Sequence, residues 1–276
     1  MIISIASGKG GTGKTTLATN LALSIGKCQL LDCDVEEPNS HIFIKPRLIR
    51  SRSVSLPVPK VDDKKCTYCG KCSEVCQFSA LAVIRKNVLV FQELCHGCGA
   101  CSILCPVDAI WEVEREIGVM EIGQAGDVHF IHGLMRISEA MSPPLIKAVK
   151  NEAEKDMVTI IDAPPGTSCP VIEAVKDSDF CVLVTEPTPF GLNDLVLAVE
   201  MLRILEIPFA VVLNRSDVGD DKVDEYCEKE DIPILMKIPM DRELAEAYSE
   251  GIPFVEAKPE WKEKFADLYN NIIRMV

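Results

Sequence analysis

The sequence contains no apolar run approaching the roughly 18 residues that a membrane-spanning helix needs. Its start passes from Met1 straight into Ile2, Ile3, Ser4 and Ile5, without the basic stretch and apolar core of a secretory leader. Positive charge is scarce: 29 Lys and Arg face 42 Asp and Glu, a net charge of −13. A surface of that sign repels phosphate backbones, so neither nucleic acid nor an anionic membrane is expected as a partner. The expected location is the cytoplasm, where disulfides are rare. Cysteine, by contrast, is plentiful. Thirteen in 276 residues is below the density of a small disulfide scaffold, and in a reducing compartment clustered cysteines point to metal. With 47% hydrophobic and 26% charged residues the chain can bury a full core, and its length suits one large domain or two smaller ones.

The two ends of the chain read as one kind of domain and the middle as another. An apolar run at Ile2 to Ala6, a Gly-rich loop, and a helix placing Leu17, Leu21, Ala22 and Ile25 on one face are followed by a strand at Gln29 to Cys33. From Met157 the alternation resumes, with strands at 157–161, 180–185, 208–213 and 234–238 and helices at 171–175, 192–205 and 222–230. Continuously apolar strands alternating with helices predict an α/β fold, a parallel sheet covered by helices on both faces. Pro46, Pro57 and Pro59 read as an extended linker into a cysteine-rich insertion. The expected division is a P-loop domain of residues 1–60 and 116–276, with a small inserted α+β domain at 61–115.

The stretch Gly8-Lys9-Gly10-Gly11-Thr12-Gly13-Lys14-Thr15 fits G-x-x-x-x-G-K-[ST] between a strand and a helix, the context that marks a phosphate-binding loop. Gly8, Gly10, Gly11, Thr12 and Gly13 let backbone N–H groups converge on phosphate oxygens, with Thr16 in the first helical turn. Lys14 is expected to neutralise the β and γ phosphates of ATP or ADP and the Thr15 hydroxyl to hold Mg²⁺.

With the second lysine, Lys9, the loop resembles that of the MinD/ParA superfamily. The resemblance implies that Lys9 reaches across a nucleotide-dependent homodimer to the partner's phosphates. It implies that Asp34, beside Asp32 at a strand end, orients the attacking water, and that Asp162, in Ile160-Ile161-Asp162-Ala163-Pro164, lies near Mg²⁺. Lys9, Lys14, Asp34 and Asp162 are thus the expected catalytic group. Asn214, Arg215 and Pro239 match the positions that recognise adenine. Helix capping is the alternative for the two aspartates, and an ordinary turn the alternative for Asn214.

Cys66-x₂-Cys69-x₂-Cys72-x₃-Cys76 is followed by Cys95-x₂-Cys98-x₂-Cys101-x₃-Cys105-Pro106. Three thiolates two residues apart can wrap one face of an iron–sulfur cube, and the fourth reaches the other cube. In this the segment resembles a bacterial two-cluster ferredoxin. The resemblance assigns Cys66, Cys69, Cys72 and Cys105 to one [4Fe-4S] cluster and Cys95, Cys98, Cys101 and Cys76 to the other. Gln77 stands where that pattern places Pro, which affects the exit angle rather than ligation. A pair of zinc sites is the alternative, although zinc more often takes two separated cysteine pairs. Cys28, Cys33, Cys181 and Cys227 read as buried packing residues. Cys169 follows Asp162 at an offset similar to that of a cluster-ligating cysteine of the nitrogenase iron protein, or is simply a small residue opening a helix.

Lys45, Arg47, Arg50, Arg52, Lys60, Lys64, Lys65 and Lys71 outnumber Asp62 and Asp63. This basic stretch reads as a docking patch for an acidic redox partner, as charge compensation, or as a solvated linker. Trp261, Phe265, Leu268, Tyr269, Ile272 and Ile273 form one helical face expected to pack on the sheet. The expected function is an ATPase, slow without a partner, in which nucleotide switching and dimerisation gate electron transfer through the two clusters to a redox partner. The alternative is an ATP-dependent carrier of the Mrp type that hands iron–sulfur clusters or metal to an acceptor protein. A ParA-like partitioning role conflicts with the charge and leaves the clusters without a task.

Overall fold

The computed structural model describes residues 1–276. In chain order the elements are β1 (Ile2–Ala6), α1 (Lys14–Ile25), β2 (Cys28–Asp32), α2 (Ser40–Ile44), β3 (Arg47–Val61), α3 (Lys71–Val75), β4 (Leu81–Val83), β5 (Val88–Val90), α4 (Ala100–Ile103), β6 (Ile110–Ala125) and β7 (Val128–Met135). There follow α5 (Pro143–Lys150), β8 (Thr159–Asp162), α6 (Cys169–Val175), β9 (Phe180–Thr185), α7 (Pro189–Ile204), β10 (Phe209–Asn214), α8 (Lys222–Lys229), β11 (Ile234–Ile238), α9 (Arg242–Ser249), α10 (Phe254–Ala257) and α11 (Glu260–Ile273). Nine strands form one sheet in the order β11-β10-β9-β1-β8-β2-β7-β6-β3. The seven from β11 to β7 run parallel, while β6 and β3 are antiparallel.

The sheet's two faces bury different side chains of the same strands. Along β9, Phe180, Val182 and Val184 join a core with Leu17, Leu21 and Phe265, whereas Cys181 and Leu183 join the opposite core with Leu145, Val171 and Leu195. Continuous apolar runs are therefore required, because no strand of this central group has a wet face. α1 and α11 cover one side, where Trp261, Phe265, Leu268 and Ile272 are buried as expected and Tyr269 is partly buried, whereas Ile273, expected on the same face, is exposed. α5, α6, α7 and α8 contribute to the other. The expected fold class is observed, with a two-stranded β4-β5 sheet in the inserted segment. No helix is long and apolar enough to cross a membrane.

The expected linker is a strand. β3 is the sheet's edge and pairs with β6 from Arg47 opposite Gln124 to Val61 opposite Ile110. Pro57 and Pro59, opposite Glu114 and Glu112, are two positions apart. Both can turn their nitrogens to the open side of the edge, where no ladder bond is lost. Arg47, Arg50 and Arg52 on this edge oppose chance pairing with another strand. The β3-β6 ribbon runs from the sheet into the cysteine-rich segment, and the expected boundaries at 60/61 and 115/116 fall within it. β6, β7 and α5 lie outside the elements expected from the sequence. α7 starts at Pro189 rather than Leu192, because the Thr188 hydroxyl caps it, accepting from the Gly191 N–H at 3.0 Å.

Candidate nucleotide and metal sites

β1 delivers the phosphate loop to the carboxyl end of the sheet, where open α/β sheets bind ligands. The loop is clamped from two sides. A Cβ on Gly8 would stand 2.1 Å from the Asp194 carbonyl oxygen on α7. Gly13 has φ +99°, and a Cβ there would meet the Asn214 amide nitrogen at 2.5 Å. That amide donates to the Thr12 carbonyl at 2.8 Å. No side chain caps the start of α1, so its first N–H groups are free to face an anion.

Lys14 is 6% exposed. Burial lowers its pKa, against the pull of Asp162, Asp34 and Asp32. Asp32 and Asp162 are register partners on β2 and β8. Ser40 joins them: its N–H donates to Asp32 Oδ2 at 2.9 Å and its hydroxyl to Asp162 Oδ2 at 3.0 Å. The Asp34 N–H donates to Asp32 Oδ1 at 3.1 Å. Asp32 is therefore saturated within the protein and organises the loop, whereas Asp162 Oδ1 is buried without a partner. Burial raises the pKa of Asp162 against the opposing effects of Thr15, Lys14 and Ser40. Burial, followed by the Asp162 charge, raises that of Asp32. Burial and Asp162 push Asp34 up to about 6.

A cavity of about 390 Å³ opens beside the loop. Of the expected residues, Gly10, Gly11, Gly13, Lys14, Thr15, Thr16, Asp34, Asn214, Arg215 and Pro239 line it. Gly8, Lys9, Thr12 and Asp162 do not. Lys9 lies 3.5 Å from Glu186, which also holds Arg215 at 2.6 Å. Sequence reasoning missed the outer wall, formed by Met240, Leu244, Tyr248 and Phe254 among others. Asp241 caps α9, accepting from the Glu243 and Leu244 N–H groups, and an Asp at that position could have announced the helix that supplies Leu244 and Tyr248.

The structure gathers the cysteines into two separate sets. Cys66, Cys69, Cys72 and Cys105 line one cavity, and Cys76, Cys95, Cys98 and Cys101 line another. In neither does a group of three side chains converge to the distance of a single ion. Backbone N–H groups of Tyr68, Ala80, Gly97 and Ala109 donate to the sulfurs of Cys66, Cys76, Cys95 and Cys105 at 3.2–3.4 Å. Burial raises the pKa of the Cys72 and Cys95 thiols, and that of Cys101 to about 11, while the Lys71 backbone N–H lowers that of Cys69. Cys28, Cys33, Cys181 and Cys227 are buried as expected, and Cys169 is exposed as the first residue of α6. Arg50 and Arg52 pair with Glu152 at 3.5 and 2.7 Å, and Lys60 lies over the Trp111 ring, so part of the basic stretch is compensated within the chain.

A row across the strands links the nucleotide side to the ribbon. Asp162, Asp32, His132 and Glu121 are successive register partners on β8, β2, β7 and β6. His132 Nε2 is 2.9 Å from Glu121, and burial lowers the pKa of the ring.

The family model of the CobQ/CobB/MinD/ParA nucleotide binding domain matches residues 3–254, and the chain belongs to that family. It is similar to the uncharacterized protein MJ0578 of Methanocaldococcus jannaschii, 34% identical over 99% of this chain and 96% of that protein. It is also similar to the iron-sulfur cluster carrier protein of Pyrococcus abyssi, 26% identical over 92% of this chain and 78% of that protein. Among solved structures, the septum site-determining protein MinD of Pyrococcus horikoshii in complex with Mg-ADP shares the fold. The TM-score is 0.60 at 21% identity, covering 98% of this chain and 95% of that one.

Proposed function

We propose that the chain is an ATP-hydrolysing iron–sulfur protein, in which a nucleotide-switched homodimer acts on what the cysteine-rich segment and Cys169 hold. The observation that carries the reading is the pair of four-cysteine cavities, borne on a ribbon continuous with the sheet that presents the phosphate loop. The division into a P-loop domain and a ferredoxin-like insertion belongs to this reading.

The residues fit Mg-ATP. Lys14 and the free N–H groups of α1 supply positive charge where phosphates would sit. Thr15 and the unpartnered oxygen of Asp162 are hard donors suited to Mg²⁺, which supplies charge neutralisation at the phosphates. Asp34, with its pKa near 6, is ionised at neutral pH and placed on the cavity wall, able to orient water. Lys9, held by Glu186 in the single chain, is the residue that would cross to a second copy.

The cysteine sets fit [4Fe-4S] clusters. Four thiols surround each cavity instead of meeting at a point, and N–H donors to sulfur stabilise the thiolate form. Such clusters supply one-electron chemistry. Of the two tasks considered, delivery is the better supported, because relatives covering most of the chain are iron-sulfur cluster carrier proteins. Exposed Cys169, close in sequence to Asp162, is the residue free to meet cargo. Electron transfer is favoured by one observation only, that five of the eight inserted cysteines, Cys72, Cys76, Cys95, Cys101 and Cys105, pack in a core with Val58, Leu81 and Ile110, while Cys69 and Cys98 are exposed. Incubating iron-loaded protein with an acceptor apoprotein, with and without ATP, separates the two. ATP-dependent passage of iron to the acceptor supports delivery. Iron that stays in place while the cluster potentials respond to nucleotide supports electron transfer.

A further inference from the structure

The two cysteine cavities are copies of one another. A shift of 29 positions places Cys66, Cys69, Cys72 and Cys76 on Cys95, Cys98, Cys101 and Cys105, and the structure keeps the equivalence. The N–H···S bonds from Tyr68 and Gly97 correspond, as do those from Ala80 and Ala109. Left-handed backbone recurs at Gly70 and Gly99 and at Ser79 and Asp108. The linings differ most in charge. Lys71 lines the first cavity where Ala100 lines the second, and Val83 lines the first where Glu112 lines the second. A Glu112 carboxylate oxygen lies 3.3 Å from the point a Gly99 Cβ would occupy, beside the turn between Cys98 and Cys101.

Of the other ionisable groups nearby, His96 lines the second cavity where Thr67 lines the first, its ring stacked on Phe78. Arg115, whose charge is felt at Cys95, is paired through its two terminal nitrogens, Nη1 and Nη2, with Glu139. The Glu74 carboxylate lies 3.8 Å from the equivalent point at Gly70, but Glu74, unlike Glu112, does not line its cavity. The second cavity is the one nearer the sheet, since Pro59 lines it and Gly97 packs against Leu56 and Pro57.

Resting on the reading that each cavity holds a [4Fe-4S] cluster, we infer that Lys71 and Glu112 set the two sites at unequal reduction potentials. The outer site of Cys66, Cys69, Cys72 and Cys105 is the higher, and the inner site of Cys76, Cys95, Cys98 and Cys101 the lower. Reduction adds one negative charge to a cluster. A neighbouring ammonium stabilises that charge and a neighbouring carboxylate opposes it. A single electron supplied to the pair therefore resides on the outer site, next to the exposed Lys71.

The test uses full-length protein prepared anaerobically. Iron and acid-labile sulfide are measured first, and dithionite reduction is then followed by EPR at controlled potential. Two resolved steps are expected. Glu112→Gln should move the lower step upward and leave the upper one in place, and Lys71→Gln should move the upper step downward and leave the lower. A single step, or substitutions that leave both steps fixed or move the same one, overturns the inference while the iron content still upholds the cluster reading. Absence of iron and sulfide overturns that reading and the inference with it.

Discussion

Replacing Asp34 by Asn should make the nucleotide-free protein more stable while abolishing turnover. Burial and the neighbouring Asp162 charge raise the Asp34 pKa from 3.8 to about 6, so ionising it costs the folded state more than the unfolded one. Between these two values the native protein binds the extra proton, and stability therefore falls as pH rises through the window. A shift of about two units corresponds to about 3 kcal/mol, and the partial exposure of the group reduces this to about 2 kcal/mol. Asn keeps the shape and removes the charge. D34N should accordingly melt about 4–8 °C above the wild type at pH 7, and the difference should be much smaller near pH 4, where Asp34 is protonated in the folded state and about half protonated in the unfolded one. Calorimetry of both proteins without nucleotide at the two pH values reads the effect, and a phosphate-release assay at pH 7 should show hydrolysis lost with nucleotide still bound. A variant less stable than wild type at pH 7, or stabilised equally at pH 4, would refute the electrostatic reasoning.

Three other substitutions probe the remaining parts. Lys9→Ala should cost under about 1 kcal/mol, because its ion pair with Glu186 is partly exposed. Light scattering should nevertheless show that ATP no longer drives dimerisation. Gly8→Ala places a methyl group against the Asp194 carbonyl; thermal melts should show a loss of about 1–3 kcal/mol, and equilibrium dialysis weaker nucleotide binding. Cys105→Ser should cut bound iron from about eight to about four atoms per chain. Metal analysis of C105S that showed all iron lost, or none, would contradict the exchange of the fourth ligand between the runs.

What the sequence made legible was local. The phosphate loop, the two cysteine runs and the continuously apolar strands each announce themselves within a few residues. The resemblance of the two runs to a two-cluster ferredoxin implies that Cys76 and Cys105 change places between the triplets, and the two cavities group them in that way. The β3-β6 ribbon was illegible because an edge strand can accept proline and arginine, the residues that normally argue against a strand. The hold of Glu186 on Lys9 and Arg215 joins residues far apart in sequence and left no periodic trace. The outer wall of the nucleotide cavity comes from Met240, from α9 and from Phe254 on α10, and the apolar face of α9 reads like that of any surface helix.

The central claim is that one chain joins a nucleotide switch to two clusters and that each responds to the other. The most direct measurement is the EPR spectrum of anaerobically prepared, dithionite-reduced protein with Mg-ADP and with a non-hydrolysable ATP analogue. Signals of reduced [4Fe-4S] clusters whose shape or midpoint differs between the two nucleotides are expected. Spectra identical in both states, or protein that binds nucleotide yet carries no iron, would contradict the claim.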